Sequence, residues 1–522
     1  MQTARRPWDP RTTACIPALT TDRVQPQLMN LVQVLTEADH IKAICGSTPG
    51  ETIAITEYLL GIIHAFGHCP ADEDEWCDWV EDQTSLTPAA TRLAEDPADR
   101  WDLFHPERPL GQNRLLAPWM NSHGVGPAQL VIEHAADYNQ LFDHRHLHAA
   151  QPLPADQAFR AMLTQHAYGL GGKAKAKADW LGPALPNQAV GRLNARVRVL
   201  ACGDTLADTL RLNLTPTPKD KQGNLNYSWT NGRTRRAFTG TKDKAMRAVD
   251  GPADLHTVLG RSILLHPVDR EDGTIAVDRV LVAAGELLKD LPAQHLQDAI
   301  VEEKATKDGK TYRTFLKASE TRALWREAHA LYAAVAPKEK GTDLYSRLAQ
   351  LGNYRTSLWA VGIVARQTKA MCWLSDTFPL IPARQAALHH ASTTGSQVAE
   401  HAAKALYAAA STAREIAYPN PKPSDKPAQL ARFNGSPLLY AEAGDLFHTL
   451  MDEVANGTTA SQALTTYTQA ITTTSRRVLA ERLRSMPSSA TARQARAEAT
   501  KRLQTVLTNK TAPLVLKEAA HA

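Results

Sequence analysis

The stretch YGLGGKAKAKADW, residues 168–180, decides how the first part of the chain is read. Gly169, Gly171 and Gly172 crowd together, and a ladder of Lys173, Lys175 and Lys177 follows. A phosphate cradle is the first candidate. Such a cradle places its glycines ahead of a helix, so that free N–H groups and the positive end of the helix dipole face the phosphate. Here the order is reversed. PLPADQAFRAMLTQHAYG (152–169) has Pro154 near a first turn, Ala and Leu at helical spacing and a stop at Gly169. The residues fail too: Ala167 stands five positions before Gly172, and Ala174 follows Lys173 where a P-loop needs Ser or Thr for magnesium. A nucleotide pocket is excluded. The bland alternative, a left-handed helix stop at Gly169, accounts for one glycine and leaves two unexplained.

Outward from this stretch, 522 residues are too many for one ordinary core and predict two or three domains. A composition of 43% hydrophobic and 22% charged residues is that of a globular protein. No apolar run is long enough to span a membrane, and MQTARRPWDP lacks the apolar core of a signal peptide, so a cytoplasmic location and no membrane partner are expected. The cysteines (Cys15, Cys45, Cys69, Cys77, Cys202, Cys372) are scattered with no CxxC pair, which argues against a zinc ribbon or a disulfide framework. The net charge of +5 is unevenly spread. ADEDEWCDWVED (71–82) is acidic, whereas 173–247 carries Arg192, Arg196, Arg198, Lys219, Lys221, Arg233, Arg235, Arg236, Lys242, Lys244 and Arg247 beside the lysine ladder. Such a segment fits either phosphate contact on one face or a solvated loop.

Further along, ETIAITEYLLGIIHAFG (51–67) predicts a buried helix, and Trp76 and Trp79 bracket an amphipathic turn. Residues 100–120 are broken by Pro106, Pro109 and Gly111 and read as a loop. ARVRVLACGDTLADTLRLNL (195–214) begins as a strand and opens a helix at Asp204–Thr205. Residues 255–288 read as strands joined by a DREDG turn. From about 313 helices are expected to dominate, including LWAVGIVARQTKAMCWL (358–374) and four long Ala-rich stretches at 384–417, 438–455, 459–485 and 489–508. The fold class is therefore α+β: a mixed N-terminal domain with small β-sheets and many helices over 1–375, and a C-terminal four-helix bundle over 376–522.

Catalytic constellations are sparse. In FDHRHLHAA (142–150), His144, His146 and His148 alternate, so on a strand they share one face with Asp143 opposite, an arrangement able to ligate zinc or iron. A metallohydrolase needs further ligands, and no second His/Asp cluster is evident in the sequence. No GxSxG elbow or HExxH helix occurs. The chain reads as non-catalytic, with no cofactor and no metal; a His-ligated metal-dependent enzyme is the alternative from a different class.

Five stretches in order carry a resemblance: DLFHPERPLGQ (102–112), LFDHRHLHAAQPLPADQAFRAMLTQHAYGLGGK (141–173), GDTLADTLRLNL (203–214), RALWREAHAL (322–331) and VGIVARQTKAMCWLSDTFPLIP (361–382). Together they resemble the CasA family, the large subunit of the type I-E CRISPR Cascade surveillance complex, and the helical C-terminus fits that family's terminal bundle. The resemblance implies binding at the crRNA 5′-handle, reading of the protospacer-adjacent motif (PAM) in double-stranded target DNA, strand separation, and presentation of the opened target to a helicase–nuclease effector. It implies as partners the backbone, handle-binding and small subunits of Cascade. Protein in such systems reads a short PAM and shape while base pairing reads sequence.

Residue by residue, the resemblance assigns the glycine loop to Gly169, Leu170, Gly171, Gly172 and Lys173. Lys175 and Lys177 are then available for flanking phosphates. It assigns the strand-separating wedge to Gln367 with Arg366, and the crRNA-handle contact to Phe142 and His144. The lysine finger falls nearest Lys289, with Lys304, Lys307 and Lys310 of EEKATKDGK as alternatives. The chain departs from the family at PWDPRTTACIP, which keeps a trace of a Trp–Ile–Pro pattern. It departs again at VLGR (258–261), where many relatives carry Trp-Gln-Ser-Arg. These departures bear on PAM preference. A transposon-encoded Cascade would use the same subunit to recruit a transposition adaptor instead of a helicase–nuclease.

Overall fold

The computed structural model describes residues 7–67, 69–134, 151–173, 187–188, 190–194, 196–229, 246–288, 300–303, 312–336, 343–366 and 369–521. It is an α+β protein of helices and small, mostly antiparallel sheets, and its chain divides into two compact units.

The first unit takes in Met1–Arg322, Pro337–Leu351 and Thr356–Thr377. At its centre is the helix Pro49–Phe66, started by Thr48, whose hydroxyl accepts from the Glu51 N–H. Ile53, Leu59, Leu60, Ile62 and Ile63 are buried on all its sides, as the apolar run predicts. A three-stranded sheet packs nearby: Arg198–Cys202 pairs antiparallel with Thr356–Arg366, in register Trp359 to Leu200, and Lys369–Leu380 lies on the other side of that middle strand. A second sheet joins Leu153–Pro154, Ile275–Ala284 and Arg261–Asp269, all antiparallel, with the expected DREDG turn at 269–273. A third, near the N-terminus, orders Gln27–Met29, Ile16–Thr20 and Ile41–Ile44. The helix opening foreseen at Asp204–Thr205 is Leu206–Asn213, held by a capping box in which Thr205 and Asp208 satisfy each other's backbone N–H groups.

One sequence expectation is overturned. Residues 358–374 are not a helix: Thr356–Arg366 and Lys369–Leu380 are adjacent strands joined through residues 367 and 368. Trp359, Val361, Ile363 and Val364 are residues that favour a pleated surface. Burial alternates over Thr356–Ala360 and then becomes continuous, because both faces of the middle strand are covered. A continuous apolar run of this kind reads equally well as a buried helix.

The second unit takes in Ala323–Ala336, Gly352–Arg355 and Phe378–Ala522. Its long helices are Gln385–Ala417, Ser436–Ala455, Ala460–Arg484 and Ala490–Leu507, close to the spans read from the sequence. The first packs against each of the other three. Its small residues permit close approach: a Cβ on Gly395 would lie 2.8 Å from a methyl of Leu450. Thr459 and Ser489 cap the last two long helices. Trp325 packs its ring 5.1 Å from that of Phe447.

Candidate nucleic-acid interface

The glycine stretch grows out of a buried anchor. The helix Ala155–Tyr168 ends where Gly169 N–H donates to the Gln165 carbonyl at 3.0 Å. Gly169 is not left-handed (φ −43°, ψ 136°), so the simple helix-stop reading is wrong. Its lack of a side chain has another cause: a Cβ there would lie 2.5 Å from Arg261 Nε. Arg261, at the start of its strand, passes beneath Gly169 and donates from Nη2 to the Leu170 carbonyl at 2.7 Å. The Leu170 side chain is buried in the same core as Tyr168 and Leu193.

The returning chain completes the anchor. Gly191 N–H donates to the Gly169 carbonyl at 2.8 Å, Leu193 N–H to the Ala167 carbonyl at 2.9 Å, and Asn194 Nδ2 to the Tyr168 carbonyl at 2.7 Å. A Cβ on Gly191 would lie 2.5 Å from the Ala167 carbonyl oxygen, so only glycine fits this approach. Gly172–Lys173 then pairs antiparallel with Asn187–Gln188, in register Gly172 to Gln188. The loop is therefore the root of a hairpin. Gly169 and Leu170 are committed to the interior, while Gly171 and Gly172 are half-buried and bare of side chains.

Buried charge sets the electrostatics of this root. Arg261 is 1% exposed and no described carboxylate is paired with it; burial pushes its guanidinium down to about 10. His166 lies beside it, its Nδ1 accepting from the Arg261 N–H at 3.2 Å and its Nε2–H donating to the Gly111 carbonyl at 2.9 Å. Burial holds the His166 ring down to about 4, the Gly111 hydrogen bond opposing and the Arg261 charge adding to this.

Next along the returning chain, Arg192 pairs with Glu57. The same carboxylate takes Arg198 Nε at 2.7 Å and His256 Nδ1 at 2.7 Å. Burial alone would raise the Glu57 carboxyl, but Arg192, Arg198 and His256 hold it well below the usual range. For four of the basic residues of 173–247 these contacts replace the phosphate-facing or solvated reading, while Lys219 and Lys221 are exposed and Arg233, Arg235, Arg236, Lys242 and Lys244 lie outside the described residues. Arg192 and Arg198 neutralise Glu57, Arg247 grips Asp254 and Glu286 at 2.7 Å, and Arg196 lies 3.7 Å over the Phe315 ring.

The remaining assigned residues divide in two. Arg366 ends the strand Thr356–Arg366, is exposed, and pairs with Glu320. Gln367, Phe142, His144, His146, His148, Lys175, Lys177, Lys289, Lys304, Lys307 and Lys310 lie outside the described residues, and Lys173 is described in its backbone alone. Among the described residues no group of three or more His, Cys, Asp or Glu side chains is placed to hold a metal. No described helix is long and apolar enough to cross a membrane. Sequence reasoning missed Glu57 and Arg261. Both carried a signal: each is a charge set in an otherwise apolar run (ITEYLLGII, GRSILL), and such a charge must find a partner inside.

These features define an α+β protein with a glycine-edged hairpin rooted on buried arginine and a second, helical unit. The model of the family described as CRISPR-associated protein Cse1 matches residues 12–478, and the chain belongs to that family. The structure is similar to Cse1 from Acidimicrobium ferrooxidans, at 19% identity over 99% of each chain with a TM-score of 0.74. It is similar to Thermus thermophilus CasA (Cse1), at 19% identity over 96% of this chain and 100% of that one, TM-score 0.72. A chain of a CRISPR RNA-guided surveillance complex matches at 18% identity over 96% and 100%, TM-score 0.71. At these identities the likeness establishes a shared fold. No curated protein matches the chain.

Proposed function

We propose that the chain is the non-catalytic large subunit of a type I-E Cascade, reading the PAM in duplex DNA and helping to open it. One observation carries the reading: Gly171 and Gly172 present bare backbone at the root of a hairpin whose preceding residues are locked from below by Arg261. The minor groove is about 6 Å wide and displays a degenerate pattern, so a backbone edge without side chains can reach its floor and tolerate several sequences. Lys173, Lys175 and Lys177 follow at once in sequence and would hold the adjacent phosphates, the dominant source of affinity.

Strand separation falls to the hairpin Thr356–Arg366 and Lys369–Leu380, whose connection contains Gln367. Unstacking a base step costs on the order of a few kcal/mol, which the neighbouring PAM contacts offset. The crRNA handle would meet Phe142 and His144, and Lys289 would supply the lysine finger. The opened target is then presented to a helicase–nuclease effector. Membership of the Cse1 family and the fold shared with a surveillance-complex chain support this assignment. The test is to purify the chain with its co-expressed neighbours: a small guide RNA should co-purify with the assembly. A stable assembly free of RNA overturns the reading.

A further inference from the structure

Trp373 stands six residues beyond Gln367, on the strand Lys369–Leu380, and touches three separate segments of the first unit. Its ring meets that of Tyr168, the residue before Gly169, edge-on with centroids 4.8 Å apart at 88°. Its Nε1–H donates to Glu133 Oε1 at 2.5 Å, and Glu133 lies nine residues before Phe142 in the sequence. Its far edge fills the space above Gly50, where a Cβ would lie 2.0 Å from Cη2. Ile132, Tyr168, Leu170, Val361, Ile363 and Ala370 form one buried cluster against which the indole packs. The glycine-loop root, the strand pair of the hairpin and the segment at Ile132–Glu133 thus share one close-packed core.

We infer that Trp373 is a positioning residue that fixes the spacing between the glycine edge and the hairpin tip, so that the duplex is parted at the step next to the PAM. This rests on the reading of Gly171–Gly172 and of the hairpin given above. The physical reason is that packed interiors resist small displacements. A wedge must enter one base step, and a shift of an ångström or two moves it off that step. Tyr168 ties the indole to the loop, Glu133 fixes the rotation of the indole about its own axis, and Gly50 leaves room for both.

The experiment uses the complete complex with its guide RNA and compares three targets: a PAM-bearing duplex, the same duplex lacking a PAM, and a PAM-bearing duplex already mismatched at its first base steps. Trp373→Ala should bind the PAM duplex within about threefold of the unsubstituted complex. It should open the fully paired target about 5- to 100-fold more slowly, the size of an ordinary coupling between sites. The pre-opened target should restore its rate, a rescue that general damage to the fold cannot produce.

Trp373→Phe, which keeps a ring against Tyr168 and loses the N–H, guards against a variant that fails to assemble. It should fall between the two, as should Glu133→Ala, with Glu133→Gln close to unsubstituted because it keeps an acceptor. Opening at the normal rate by Trp373→Ala and Trp373→Phe overturns the inference, and so does slowing that the pre-opened target does not relieve. Gly171→Asp, run in parallel, separates the two levels. If it binds the PAM duplex normally the loop reading itself fails, whereas loss of binding by Gly171→Asp with normal opening by the Trp373 variants refutes the spacing role alone.

Discussion

Arg261 Nη2 donates to the carbonyl of Leu170 at 2.7 Å from a guanidinium that is almost wholly buried. The two residues are 91 positions apart, and the bond carries a charge with no described counter-ion into the root of the glycine hairpin. Burying a charge in this way is costly unless it is hydrogen-bonded. The carbonyls of Leu170 and Gly260 supply those bonds, at 2.7 and 2.8 Å. Arg261 therefore ties the root of the loop to the strand that Arg261 begins.

Arg261→Met should separate loop rigidity from stability. Removing the buried charge relieves a desolvation cost of about 3 kcal/mol, corresponding to the fall of its pKa from 12.5 to about 10, and this offsets the lost hydrogen bonds. Global stability in urea should stay within about 1 kcal/mol. Amide hydrogen exchange at Gly171 and Gly172 should quicken roughly tenfold or more, the order expected for a lost charge-assisted bond. Unchanged exchange at those amides would show that the loop is held by something else.

Gly169→Ala tests the crowding directly. The added methyl lies 2.5 to 2.6 Å from Nε, Cζ and Nη2 of Arg261 and must displace the guanidinium. The expected cost is about 1–3 kcal/mol by chemical denaturation, as for other overpacked sites. The double variant Gly169→Ala with Arg261→Met should recover part of it. Additive losses would contradict a direct clash.

Glu57→Gln removes the negative member of a buried cluster and takes from the Arg192 and Arg198 guanidiniums the carboxylate they share. Loss of one partner from a buried ion pair costs about 3–5 kcal/mol. Because Arg192 follows Gly191 in the turn that ties the returning chain to the loop root, exchange should also quicken at residues 191–194. A loss under about 1 kcal/mol would place the cluster outside the stabilising core.

His166 sets a pH window. Its folded pKa lies at about 4 against 6.5 for an ordinary histidine, so between those values the unfolded chain binds a proton that the folded chain refuses. Its contribution is complete above pH 6.5, is lost as pH falls toward 4 and changes no further below. The full loss is about 3 kcal/mol. His256, also held down chiefly by burial, acts in the same direction. Urea unfolding between pH 4 and 7 should therefore show a falling stability, and His166→Gln should flatten the slope without abolishing it. A slope unchanged by His166→Gln would assign the acid sensitivity elsewhere.

What could be read from the sequence follows from the range of the interactions. The long C-terminal helices and Leu206–Asn213 were legible because their ends are marked locally, by Thr205, Thr459, Ser489 and the Pro- and Gly-containing connections. The strands about 269–273 were legible from their turn. The hairpin of 356–380 was not, since LWAVGIVA satisfies both periodicities and its arbiter, the pairing of Trp359 with Leu200, is distant in sequence. Gly169 was singled out, but the reason for it was not: Arg261 is a tertiary neighbour. Arg192, Arg198 and Arg247 looked like surface charge because their acidic partners, Glu57, Glu286 and Asp254, lie on other elements.

The most direct test of the central claim is the affinity of the guide-loaded complex for PAM-bearing and PAM-lacking duplexes at one stated salt concentration, with Gly171 intact and as Gly171→Asp. A carboxylate on the bare edge both blocks the groove and repels phosphate. The expected result is that guide RNA assembly survives while PAM-dependent binding falls at least about a hundredfold, to the level of the duplex without a PAM. Undiminished discrimination by Gly171→Asp would contradict the assignment of this hairpin as the reading edge.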